Sequence, residues 1–179
     1  MIWNGVVETE PVPLKLAQIE TARDSHPVDL IERYANDNDW SFDRPVADEI
    51  ALSVAGKLTD YQLSFSWMED FEVLHLACAF DLNVPELRVS EVYRLLSRIN
   101  EQMLFGHFDY WETEGAIMYR QTLLLAGGAE PTPEQVEMLL SSALESCENY
   151  FTAFQYVIWS GANAARALDS VMFETHGNA

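Results

Sequence analysis

The sequence predicts an α+β fold, an antiparallel sheet with helices packed on it, and three observations carry that prediction. From Ile50 to Phe80, apolar residues alternate with small or polar ones through three successive runs, the period-two signature of strands with one buried face. Segments of 3.6-residue periodicity separate groups of such runs instead of alternating with them one by one, so the βαβ pattern of a parallel sheet is absent. The breaks between runs have hairpin length and hold Pro45 and Asp48, then Gly56, Thr59 and Asp60, then Glu69 and Asp70.

Taken in order, residues 1–25 mix Pro11 and Pro13 with Glu8, Glu10 and Glu20 and sustain neither period, which predicts a loosely packed tail. A single domain is expected over residues 26–174, with 175–179 as a short carboxy-terminal tail. Ser25 is placed to cap a first helix with Pro27 in its first turn, where a missing N–H costs nothing. Val28, Leu30, Ile31, Tyr34 and Ala35 share one face of that helix, which should end near Asn36. Four strands follow, around Trp40–Phe42, Ile50–Ala55, Tyr61–Trp67 and Leu74–Phe80. Leu52, Leu63, Phe65, Leu76 and Cys78 are their expected core residues, and the small residues of the other face leave room for a helix or a second subunit.

A second helix is predicted from Ser90, carrying Val92, Leu95, Leu96, Ile99, Met103 and Leu104 on one face and closed by Gly106. Two more strands, His107–Trp111 and Ala116–Leu125, turn at Glu114 and Gly115. Thr132 then caps a long helix, with Pro133 at its first position and Glu134 and Gln135 just inside. One apolar stripe runs along it from Val136 to Ile158. Gly161 breaks it, and Asn163 caps a short last helix through Ala167, Leu168, Val171 and Met172.

Charge narrows the function. Ten Lys and Arg against 29 Asp and Glu give a formal net charge of -19, which repels phosphate backbones and anionic lipid and argues against nucleic-acid or membrane-surface partners. Cys78 and Cys147 each lie in an apolar run and read as buried free thiols, and no membrane span or basic leader is visible, so a cytoplasmic protein is expected.

No assembled catalytic, cofactor or metal motif emerges. Gly127 and Gly128 lack the lysine and hydroxyl of a phosphate loop, and the histidines His26, His75, His107 and His176 show no ligand spacing. His75, on a strand near Glu72, is the most suitable general base, yet it has no recognisable nucleophile and reads as structural. Asp60, Glu69, Asp70 and Glu72 bracket strand ends without the pattern of a calcium loop and read as a solvated rim.

One feature exceeds what a core needs. Tyr156 and Trp159 point away from the main stripe of the long helix, which implies a second buried contact. The contact is either with the strand layer around Trp67 and Trp111, the preferred reading, or with another chain. Tyr156, Trp159, Trp67 and Trp111 are therefore the candidate partner-binding residues.

The run from Leu95 to Trp111, then Gly115–Arg120 and the helix end Phe151–Trp159, resembles the YbjN family of bacterial proteins. Asn100, Gly106, Phe108, Tyr119 and Arg120 match that family's helix, glycine, strand and returning strand, and the likeness extends over about Pro27 to Trp159. The resemblance implies a sensory-transduction regulator with a fold similar to type III secretion chaperones, small acidic dimers that bind an extended partner segment, and it brings no catalytic residues. The expected function is thus a non-enzymatic regulatory or chaperone-like domain that binds a protein partner or itself, possible homodimer included. The alternative is a small-ligand sensor or enzyme with a pocket between sheet and long helix, using His75 and neighbouring acids. An adaptor should show a flat apolar patch or an open strand edge; an enzyme should show convergent polar groups in a pocket.

Overall fold

Period-two burial survives intact in the three-dimensional arrangement. The computed structural model describes residues 24–176, with side chains through Val171. Helix α1 (Pro27–Asp37) is followed by β1 (Ser41–Val46), β2 (Glu49–Ala55), β3 (Asp60–Met68) and β4 (Val73–Asn83). Then come α2 (Val89–Asn100), β5 (His107–Trp111), β6 (Ala116–Leu124), α3 (Pro133–Ile158) and α4 (Ala164–His176). The strands form one antiparallel sheet in the order β1-β2-β3-β4-β6-β5. This is the α+β architecture that the alternation predicts.

Ile50, Leu52, Tyr61, Leu63, Phe65, Leu74, Leu76 and Cys78 are buried on one face, in one core with α1, α2, α3 and α4. The opposite face carries Ala51, Ser53, Gln62, Ser64, Ala77 and Ala79, and no helix covers it among the described residues. An aromatic cluster sits between sheet and α3, with Phe80 against Tyr61, Phe108, Phe151 and Phe154. Around Phe80 the space between sheet and long helix, where the alternative reading places a pocket, is filled by rings.

Side-chain caps explain three of the four helix starts among the described residues. Thr132 and Gln135 make the reciprocal pair of bonds of a capping box at the start of α3, worth about 1 kcal/mol. Asn163 Oδ1 accepts from Arg166 N at 3.0 Å at the start of α4. Two expectations are corrected. His26, not Ser25, caps α1: its Nδ1 accepts from Val28 N at 3.3 Å, while Ser25 Oγ donates to Glu130 at 2.6 Å. Helix α2 stops at Asn100 instead of continuing to Leu104, because the Asn100 side chain is engaged by β5.

Asp24 and Ser25, the two described residues of the expected amino-terminal tail, donate their backbone N–H groups to Glu130. The rest of that tail, and residues 177–179, lie outside the described residues. At the other end of the helical layer, Arg88 donates to the Val157 and Ala162 carbonyls, and Glu91 accepts from Ala164 N. These bonds tie α2 to the corner between α3 and α4, satisfying backbone groups that a helix end leaves unpaired.

Candidate functional site

Edge strands expose unpaired N–H and C=O groups, so each edge of this sheet needs a physical account. Strand β1 is blunted by Arg44, Pro45 and a register shift between Asp43 and Val46. Strand β5 is blunted by side chains. Asn100 Oδ1 accepts from Phe108 N at 2.8 Å while its Nδ2 donates to Phe108 O at 2.9 Å, so one amide takes the place of a strand, and Tyr110 N donates to Asp109 Oδ1.

Beyond β5 the edge is open. Strand β6 has nine residues and β5 five, and their pairing ends at His107 with Arg120. Ladder bonds alternate along an antiparallel strand. Because Phe108 turns its backbone bonds outward to Asn100, its partner Tyr119 bonds the other way, to β4, as does Leu125 N, which reaches Glu72 O. Thr122 and Leu124 therefore present N–H and C=O groups outward, and these groups find no partner among the described residues. Gly106 makes this opening: its φ of +62° turns the chain off the line of β5 opposite Gln121, one residue before it would have paired with Thr122.

The free stretch Gln121–Leu124 carries no charge and no proline, and Leu124 is 68% exposed. Two hollows flank it. On the helix side, Phe105, Leu123, Met138 and Leu139 line an open groove of about 340 Å³, with Phe105 and Met138 exposed. On the helix-free side, His75, His107, Arg120 and Thr122 line a hollow of about 290 Å³.

His75 thus lies on the opposite face from the one that the enzyme alternative needs, since it alternates with buried Leu74 and Leu76. Its Nε2 accepts from Arg120 Nε at 3.2 Å. Burial, then the Arg120 and His107 charges, push its pKa down to about 4, leaving a neutral, occupied ring that is a weak base. Glu72 is not directed at it: the Glu72 carboxylate accepts from Gly127 N at 2.7 Å and Gly128 N at 3.1 Å, closing the paired-glycine loop. Cys78 and Cys147 are free and buried, and burial raises the Cys147 pKa, so its thiol stays protonated.

The four candidate aromatics do not gather on one surface. Trp67 is buried on the core face, edge-on to His26 at 6.5 Å. Trp111 lies on the helix-free face, 5.7 Å from the Arg120 guanidinium. Tyr156 and Trp159 are 36% and 67% exposed near the end of α3, so the preferred intramolecular contact with the strand layer is not made. The stripe from Val136 through Phe154 already fills the space between α3 and the sheet and leaves these two rings outside. Replacing both by serine should change stability by no more than about 1 kcal/mol, measured by urea denaturation.

The five residues that carry the family resemblance sit around the end of the β5–β6 ladder, next to the open edge. Asn100 holds Phe108, the Phe108 and Tyr119 rings pack at 5.5 Å, Gly106 lies against the Tyr119 hydroxyl, and Arg120 is the last paired residue before the free stretch. The family profile for YbjN, described as "Putative bacterial sensory transduction regulator", matches residues 27–156. The chain belongs to the YbjN family. Among solved structures, the chain is similar to YbjN, described as "a putative transcription regulator from E. coli", at 14% identity and a TM-score of 0.49, over 82% of this chain and 93% of that one. It is also similar to a chain of the ExsC–ExsE complex, at 16% identity and a TM-score of 0.42, over 68% of this chain and 88% of that one. No curated protein matches in sequence.

Proposed function

We propose that this YbjN-family chain is a non-enzymatic, chaperone-like regulatory domain of the cytoplasm that binds a protein partner by adding an extended segment to the free edge of β6. The observation that carries this reading is the outward, unpartnered backbone of Thr122 and Leu124 on an uncharged stretch with hollows on both sides. Strand addition uses such an edge: main-chain bonds supply affinity, and alternate side chains enter flanking pockets. The net charge of -19 favours a protein partner over nucleic acid, and the neutral, Arg-bonded His75 leaves the enzyme alternative without its base. The exposed pair Tyr156 and Trp159 is assigned to a second contact, with the partner or with another copy of the chain.

The test is Thr122→Pro, which deletes one edge donor on the solvent side of the sheet, where proline is tolerated. A labelled ten-residue peptide alternating valine and threonine should bind the wild type, slow amide exchange at Thr122 and Leu124, and bind the variant about 10-fold more weakly. Equal binding by a folded Thr122→Pro protein would refute strand addition at this edge.

A further inference from the structure

The chemistry of the added segment is written in the two hollows, and this inference rests on the strand-addition reading. A strand laid beside Thr122–Leu124 turns successive side chains to opposite faces of the sheet. The residue opposite Thr122 faces the helix-free hollow, and its neighbour opposite Leu123 faces the mostly apolar groove of Phe105, Met138 and Leu139, with Glu134 and Gln135 also lining it.

In the helix-free hollow the dominant charge is Arg120, and no carboxylate is among the lining residues. Arg120 Nε is spent on His75, and Nη1 stands 3.4 Å from Asp109 Oδ2, a long contact. Nη2 makes no bond among the described residues, although the side chain is only 20% exposed. A guanidinium has five donors and accepts nothing, and Nη2 reaches solvent, so an incoming carboxylate can pair with it. We infer that the partner segment carries an acidic side chain facing Thr122 and Arg120, with apolar residues on either side of it facing the groove.

This inference runs against the charge of the whole molecule. A chain of -19 should prefer a basic peptide, but exposed charges are screened beyond about 8 Å at physiological salt, whereas the Arg120 contact is local. Ten-residue peptides alternating valine with glutamate, with threonine or with lysine separate the two, read by fluorescence anisotropy against the full chain. The glutamate peptide should bind about 10-fold tighter than the threonine peptide, and the lysine peptide should bind most weakly. Arg120→Gln should remove the preference for glutamate over threonine. Thr122→Asp, at an exposed position, should reverse the preference toward lysine and stands in should Arg120→Gln fail to fold. Tightest binding of the lysine peptide by the wild type, or a glutamate preference that survives both substitutions, overturns the acidic assignment alone. Failure of all three peptides to bind overturns the strand-addition reading beneath it.

Discussion

Gly106→Ala should destabilise the protein by about 2–4 kcal/mol, seen as a lower urea midpoint with an unchanged slope. Gly106 sits at φ +62°, where a side chain costs roughly 1–2 kcal/mol from backbone sterics alone. A Cβ there would also stand 2.3 Å from the Tyr119 hydroxyl, 2.4 Å from its ring carbon and 2.8 Å from Arg120 O. None of these can retreat easily. Tyr119 is fully buried, its hydroxyl bonds Gln121, and Arg120 O belongs to the last rung of the β5–β6 ladder. Removing the hydroxyl separates the two costs. In a cycle with Tyr119→Phe, the Gly106→Ala penalty should fall by at least about 0.5 kcal/mol, because the closest clash is gone. A cycle that closes additively would mean that the backbone, not the ring, resists the methyl group.

Gly106 also shows where sequence reasoning stopped. A glycine after an apolar helical run reads as a helix stop, and the turn is indeed there, but α2 ends earlier, at Asn100. Nothing in a run of helical periodicity distinguishes an Asn that faces solvent from one whose amide replaces a strand at the sheet edge. The strands were legible because one buried face imposes a period of two, and Leu52, Leu63, Phe65, Leu76 and Cys78 are all interior. Helix α3 was legible because Thr132, Pro133 and Gln135 announce its start locally.

The edge site was half legible. The alternation already makes the strand after the Gly115 turn longer than the one before it, so some of β6 had to lack a partner on one side. That this stretch is an outer edge depends on β6, not β5, pairing with β4, a long-range choice that no local pattern encodes. The same limit applies to Tyr156 and Trp159. The helical period gives the side of α3 on which they lie, whereas whether another element covers that side is decided by how α4 folds back.

Phe80→Ala should cost about 4–5 kcal/mol, the largest loss expected of any single truncation in this molecule. The ring is 5% exposed and lies 5.3 Å from Phe151, 5.7 Å from both Phe108 and Phe154, and 6.3 Å from Tyr61, centroid to centroid. Those neighbours come from β3, β5 and α3, so no single element can slide in to fill the void. Phe108 is further fixed by Asn100 on its backbone and by Tyr119 and Tyr150 on its ring. A cavity walled by such rings collapses little, which places the cost near the top of the range for Phe→Ala. With total stabilities of about 5–15 kcal/mol typical of folded domains, the variant should show a large unfolded fraction. Phe71, whose side chain is 59% exposed, supplies the control: Phe71→Ala removes the same atoms and should stay within about 0.5 kcal/mol of the wild type. A loss below about 1.5 kcal/mol for Phe80→Ala in urea denaturation would mean that α3 settles onto the sheet when the ring is removed. The helical layer would then be mobile against β4, and the groove beside β6, walled by Met138 and Leu139 of that same helix, would not be a fixed surface.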